Sequence, residues 1–113
     1  EKVRYALANS HNIPAVKTLD MVGLDYFAQK MSELDITIKK TTGLPAALGA
    51  EATPPLKMAA AYASFANNGK FNPATPFIEI TNRNGDTLEE YTPKNIPVFS
   101  EKSAEMINSI LSD

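Results

Sequence analysis

The sequence has no cysteine and no tryptophan, and a single histidine in 113 residues. Without cysteine there is neither a disulfide framework nor a thiolate metal site, and a lone His11 makes a zinc site untenable. The lack of disulfides leaves the compartment open. No run of about 18 apolar residues is present, so nothing in the sequence itself spans a membrane. No charged segment followed by an apolar core marks a signal peptide. The first residue is Glu1 rather than Met, and any membrane anchor is expected outside this chain. Basic residues are few and scattered: eleven Lys and Arg stand against thirteen Asp and Glu, for a net charge of −2. That balance excludes a nucleic-acid or anionic-membrane footprint. What remains is a chain 43% hydrophobic, enough for a core, and of a length that makes one domain or a piece of a larger one.

The hydrophobic pattern predicts an α+β chain, mostly α-helical with one β-hairpin. Val3, Ala6 and Leu7 recur at helical spacing, and Val3 to Asn9 reads as the tail of a helix entering from before residue 1. Pro14 opens a second helix, with Val16, Leu19, Met21 and Val22 apolar and Gly23 as its stop. Asp25 is expected to cap a third, with Phe27, Met31 and Leu34 on the buried stripe and Gln29, Lys30 and Glu33 opposite. From Ile36 to Glu51 the periodicity fades, giving an irregular connection with Leu44 and Leu48 tucked inward and Lys40 solvated. Thr53 before Pro54 and Pro55 predicts a capped helix running to Asn67, largely buried because Leu56, Ala59, Ala60, Ala63 and Ala66 form one stripe and Met58, Tyr62 and Phe65 another. Tyr62 is read as a core aromatic. Asn67-Asn68-Gly69 supplies the left-handed stop. The period then changes: Phe77 to Thr81 alternates and can pair with Thr87 to Tyr91 across Arg83-Asn84-Gly85, a hairpin at about 76–91. A type I turn with Gly85 in the bulge sets Ile80 opposite Leu88 and Glu79 opposite Glu89. Thr92 to Phe99 is an extended link, and Ser100 caps a last helix with Ala104, Ile107, Ile110 and Leu111 facing inward.

The chemistry-bearing stretch is Ser10-His11-Asn12, just ahead of Ile13-Pro14-Ala15-Val16. The Ser10 hydroxyl accepts one proton while donating another, and the Asn12 carboxamide offers two donors and an acceptor. Two residues apart in a non-helical link, they can face one concave surface at the junction of two helices. The alternative is that both only end and start helices.

Ala6 to Val16 resembles the second-motif region, S-x-N, of penicillin-binding proteins. A second block, Leu44-Pro45-Ala46-Ala47-Leu48-Gly49 followed by Thr53 to Gly69, is similar to a helix of the bifunctional class A members, in the family's order and at a family-like separation. The resemblance runs from about Arg4 to the C-terminus and implies a section of the β-lactamase/transpeptidase-like fold. It further implies a peptidoglycan D,D-transpeptidase whose own serine is acylated by the D-Ala-D-Ala end of a stem peptide as the terminal residue leaves, which then passes the acyl group to a neighbouring amine and is trapped by β-lactams. In it Ser10 would relay protons and Asn12 would bind the substrate amide; His11 has no role. No cofactor is expected, and the composition argues against a metal and a nucleic-acid partner; the resemblance places the parent at the extracytoplasmic face of the bacterial membrane, anchored by an N-terminal segment outside this chain.

Two of that family's three motifs are missing. No serine is followed at the third position by lysine, so S-x-x-K and its nucleophile are absent. Lys40-Thr41-Thr42-Gly43 has one residue too many for K-T-G and lies in a turn-rich stretch. The expectation is therefore a partial transpeptidase domain over residues 1–113, inactive by itself and prone to self-association. A noncatalytic helical interaction or sensory module of the same ancestry is the competing reading, with a serine β-lactamase a weaker third.

Overall fold

In the computed structural model, residues 2–113 are described, with only the backbone of Lys40, so the expectation that Lys40 is solvated lies outside the described residues. Five α-helices alternate with irregular segments and two small antiparallel sheets: α1 (Val3–Ala8), α2 (Asn12–Val22), α3 (Leu24–Glu33), α4 (Pro55–Ala66), β1 (Lys70–Phe71), β2 (Glu79–Thr81), β3 (Thr87–Glu90), β4 (Ile96–Pro97) and α5 (Glu101–Leu111). The α+β class and the mainly helical content are as the sequence predicts.

Several helix boundaries follow their local signals. Gly23 ends α2 at φ 91°, its N–H donating to Leu19 O. Ser100 accepts at Oγ from Ser103 N, the N-cap bond that starts α5 and is typically worth about 1 kcal/mol. Asn68 and Gly69 stop α4 at φ 57° and 83°.

Other boundaries differ. Lys2 is extended and α1 begins at Val3, so no helix enters through residue 2. Helix α2 starts at Asn12, leaving Pro14 within the first turn, where its missing N–H costs nothing. Gly23, not Asp25, precedes α3, and Asp25 falls inside its first turn, where a carboxylate favours the helix dipole. Pro54 rather than Thr53 occupies the cap of α4, with no side-chain bond.

The core gathers Leu34, Ile36, Ala61, Phe71 and Val98, with Met31, Ile38, Ala60 and Phe99 packed around it. It is held by a pairing that periodicity does not reveal: β1 and β4 are antiparallel, Lys70 opposite Pro97 and Phe71 opposite Ile96. Gly69 locks this junction, its carbonyl accepting from Val98 N and Phe99 N at 3.0 Å each. Lys30, assigned by pattern to the solvent face of α3, is instead half-buried: its ammonium donates to Val98 O at 2.7 Å, pairs with Glu33 at 3.2 Å and lies over the rings of Tyr26 and Phe99. A long lysine stem covers apolar surface while its head finds partners.

Helix α4 is not largely buried. Only Ala61 and Ser64 are fully covered, whereas Leu56, Met58, Ala59, Ala63 and Ala66 are exposed, and Tyr62, at 54% exposure, is no core aromatic. The stripes are real, but in this chain packed elements cover only the Ala61–Ser64 side. Leu48 and Leu111 are exposed for the same reason, at the rims of their elements, and Met21 is 87% exposed.

The hairpin forms, in a different register. Asn82 N donates to Asp86 O and Gly85 N to Asn82 O, so the turn closes as expected with Gly85 at positive φ. Thr81 then faces Thr87, but Ile80 faces Glu89 and Glu79 faces Glu90. Leu88 is the extra residue of a bulge, which shifts everything beyond it by one. All residues of β2 and β3 are exposed.

Candidate functional site

The Ser10-His11-Asn12 stretch is shaped by how α1 ends. His11 N donates to Ala6 O at 3.0 Å and Ser10 N to Leu7 O at 3.1 Å, the two backbone bonds of a Schellman motif. In that motif the residue after the C-cap takes left-handed backbone geometry, and here Ser10 does so at φ 54°. Glycine is the usual occupant; for another L-residue the conformation costs about 1–2 kcal/mol. His11 follows in extended conformation, φ −73° and ψ 122°, and Asn12 begins α2. The Tyr5 and His11 rings meet in a T-shaped arrangement with centroids 5.6 Å apart, and Asn9 Nδ2 donates back to Tyr5 O at 2.9 Å.

Backbone groups therefore do the capping at this junction. No side-chain cap bond is made at the start of α1 or of α2. Ser10 ends α1 through its N–H and leaves its hydroxyl uninvolved in that motif; Asn12 lies one residue past the N-cap position. Both residues are exposed and stand on either side of His11. A junction of two helices is present here as the sequence leads one to expect, but Asn12 is the first residue of α2 rather than part of a non-helical link. The turn is tied to the other end of the chain by Arg4, whose guanidinium donates to Ser109 O and Ser109 Oγ at 2.8 Å each and pairs with Asp113 at 2.9 Å. Arg4 thereby serves the free carbonyls and negative dipole end of α5.

Neither of the two cavities flanking α4 is lined by Ser10 or Asn12. The larger, about 230 Å³, lies among Phe27, Met31, Ile38, Met58, Tyr62 and Phe65. The smaller, about 150 Å³, opens between Leu34, Leu56, Ala60 and Phe71, with Asp35 and Lys57 beside it. Glu51 borders the larger cavity. Its carboxylate accepts from the Thr42 hydroxyl and from Lys39 N, and these bonds, the hydroxyl first, hold its pKa below the ordinary value. The Lys40–Gly43 stretch that superficially looks like K-T-G is thus a tight turn, Lys40–Thr42, folded over a carboxylate. No spacing in the sequence signals Glu51; only tertiary closure brings it there. Among the described residues no three of His, Asp or Glu gather to hold a metal.

A turn of this kind, carrying a hydroxyl and a carboxamide between two helices, occurs in a chain that matches a known family along its whole length. Residues 1–113 match the penicillin-binding protein transpeptidase domain, and the chain belongs to that family. Its relatives bear out the class A resemblance. It is 35% identical to Penicillin-binding protein 1A/1B of Bacillus subtilis over 96% of its own length, 31% to Penicillin-binding protein 4 of the same organism over 95%, and 39% to Penicillin-binding protein 1A of Aquifex aeolicus over 81%. The chain spans 12%, 18% and 12% of those relatives, respectively.

Proposed function

We propose that this chain is the second-motif section of a serine-type D,D-transpeptidase that cross-links peptidoglycan stem peptides, with Ser10 and Asn12 as its site residues. The observation that carries this reading is the Ser10–Asn12 turn, in which backbone bonds end one helix and leave the side chains to other work. In the assembled enzyme Ser10 passes a proton between the nucleophile, its lysine and the leaving amine. Asn12 holds the substrate amide and orients that lysine. The nucleophile belongs to an S-x-x-K segment that this sequence lacks. D-Ala-D-Ala peptides and β-lactams are the ligands, and the enzyme acts at the outer face of a bacterial membrane, held there by a segment other than this one. Among the described residues no helix is long and apolar enough to cross a membrane.

The test has two arms. Intact-mass spectrometry of the 113-residue chain after incubation with excess penicillin is expected to show no adduct, because hydroxyls without an activating base are weak nucleophiles. A chimera in which these residues replace the matching stretch of Penicillin-binding protein 4 of Bacillus subtilis is expected to label. A stoichiometric adduct on the chain alone, or a folded chimera that does not label, overturns the proposal.

Self-association of the isolated chain belongs to the same reading. Leu56 and Met58 on α4 and Met21 and Val22 on α2 are exposed, and each large aliphatic side chain left in water forgoes about 1.5–3 kcal/mol. Two copies recover part of that by pairing these faces. Sedimentation equilibrium over a concentration series is expected to give a mass rising above the 12.3 kDa of one chain; a constant monomer mass contradicts it.

A further inference from the structure

Two Asn-Gly pairs occur in the sequence, Asn68-Gly69 and Asn84-Gly85. The geometry points to Asn84 as a site of spontaneous deamidation that unfastens the β2–β3 hairpin, and to Asn68 as a chemically identical pair that the fold protects. In this reaction hydroxide takes the proton of the glycine N–H and the nitrogen attacks Asn Cγ. The N–Cγ bond forms, the Cγ–Nδ2 bond breaks, and ammonia leaves with a proton from water. Water then opens the five-membered succinimide at either carbonyl, leaving aspartate or isoaspartate. Nothing is oxidised or reduced, and water is the only co-reactant. Glycine favours ring closure because no Cβ crowds the attacking nitrogen, provided that nitrogen can turn toward the side chain.

At Asn84 it can. Gly85 has nothing within 4 Å of where a Cβ would sit, and its N–H is held only by Asn82 O at 3.0 Å. The strands that carry this turn are three and four residues long and exposed along their whole length. Short, solvated hairpins open at little cost.

At Asn68 the same nitrogen is locked. Gly69 is buried, its N–H donates to Ser64 O at 2.8 Å, and its carbonyl accepts from both Val98 N and Phe99 N. Phe99 O fills the space beside its Cα. Turning Gly69 N toward Asn68 Cγ breaks this junction and with it the β1–β4 pairing at the core. The opening needed is therefore close to global unfolding.

The product at Asn84 changes the hairpin in two ways. It adds a carboxylate to a ribbon that already carries Glu79, Asp86, Glu89 and Glu90, with Glu79 opposite Glu90. In the isoaspartate form it also inserts a methylene into the backbone between Asn84 N and Asp86 N, the two donors that Asn82 Oδ1 accepts at 2.9 Å each. A turn closed by one side-chain oxygen cannot keep both bonds when their spacing changes.

The experiment ages the 113-residue chain at mildly alkaline pH and follows both sites by peptide mapping with isoaspartate detection. Conversion is expected at Asn84, with Asn68 at least about tenfold slower. In denaturing guanidinium chloride the two are expected to convert at rates within about threefold of each other, since the protection belongs to the fold. Gly85→Ala is expected to slow the Asn84 reaction without changing Asn68. Equal rates at both sites under native conditions, a faster Asn68, or a difference that persists in denaturant overturns the inference.

Discussion

Replacing Ser10 by alanine in the Penicillin-binding protein 4 chimera is expected to slow acylation by penicillin about 10²–10⁴-fold, the usual contribution of a positioned proton-transfer group. That corresponds to about 2.7–5.4 kcal/mol of transition-state stabilisation. The comparison is clean because Ser10 holds its place through its backbone N–H, which alanine retains. Alanine and serine suffer similarly at φ 54°, so the turn should survive. Asn12→Ala is expected to cost acylation about 10–10²-fold, the loss of hydrogen bonds to a polar substrate group, each worth about 0.5–1.5 kcal/mol and more when charged. It too should fold, since an exposed first-turn position in α2 accepts alanine readily. Stopped-flow acylation with thermal melts as the folding control decides the matter. Rates within about threefold of the unsubstituted chimera for both variants would remove Ser10 and Asn12 from the site.

A second substitution is expected to act on the fold alone. In Gly69→Ala the new methyl would sit 2.2 Å from Phe99 O and 2.8 Å from Phe99 C, atoms of backbone rather than of a side chain that can swing away. The residue also holds φ +83°, which costs an L-amino acid about 1–2 kcal/mol before any clash. Relief requires separating Gly69 from Phe99, which breaks the two bonds to its carbonyl and uncovers Phe71 and Val98. The sum is expected to exceed about 3 kcal/mol, a large share of the roughly 5–15 kcal/mol of a native domain. Urea titration followed by circular dichroism measures it. A midpoint shift equivalent to less than about 0.5 kcal/mol, the range of ordinary surface substitutions, would show that the junction yields.

The features legible in the sequence are those decided within a few residues. Ser100 three positions before Ser103, Gly23 after Val22 and Asn68-Gly69 after Ala66 each satisfy free backbone groups locally, so their signals survive any tertiary context. The same holds for Asn82–Asp86, whose turn closes as its residues demand. What the sequence does not disclose is decided at a distance. Leu88 drops out of register although the turn is right, because a bulge is settled by the paired strands together. The two-residue strands β1 and β4, some 25 residues apart, are too short for alternation to register. The apolar stripes of α4 say that it prefers to be covered, yet which side is covered depends on what packs there, and here only Ala61 and Ser64 are. At the proposed site, Ser10 and Asn12 stand out by type and spacing, whereas the left-handed geometry of Ser10 has no local signal, since serine is not the residue that conformation selects. Lys30 follows the same logic: its helical position assigns it to solvent, and Val98 O, 68 residues away, claims it.

The Schellman position of Ser10 also bears on how this segment responds to selection. Glycine is the thermodynamic choice there, so Ser10→Gly relieves left-handed strain and, after the extra chain entropy of glycine, is expected to raise stability by about 0.5–1 kcal/mol. A library ranked by heat tolerance should enrich that substitution, and the same library ranked by penicillin labelling should purge it. The serine is in this sense a debt carried in the native state. Its persistence under mutational pressure toward glycine would measure, without any enzyme assay, how strongly the hydroxyl is required.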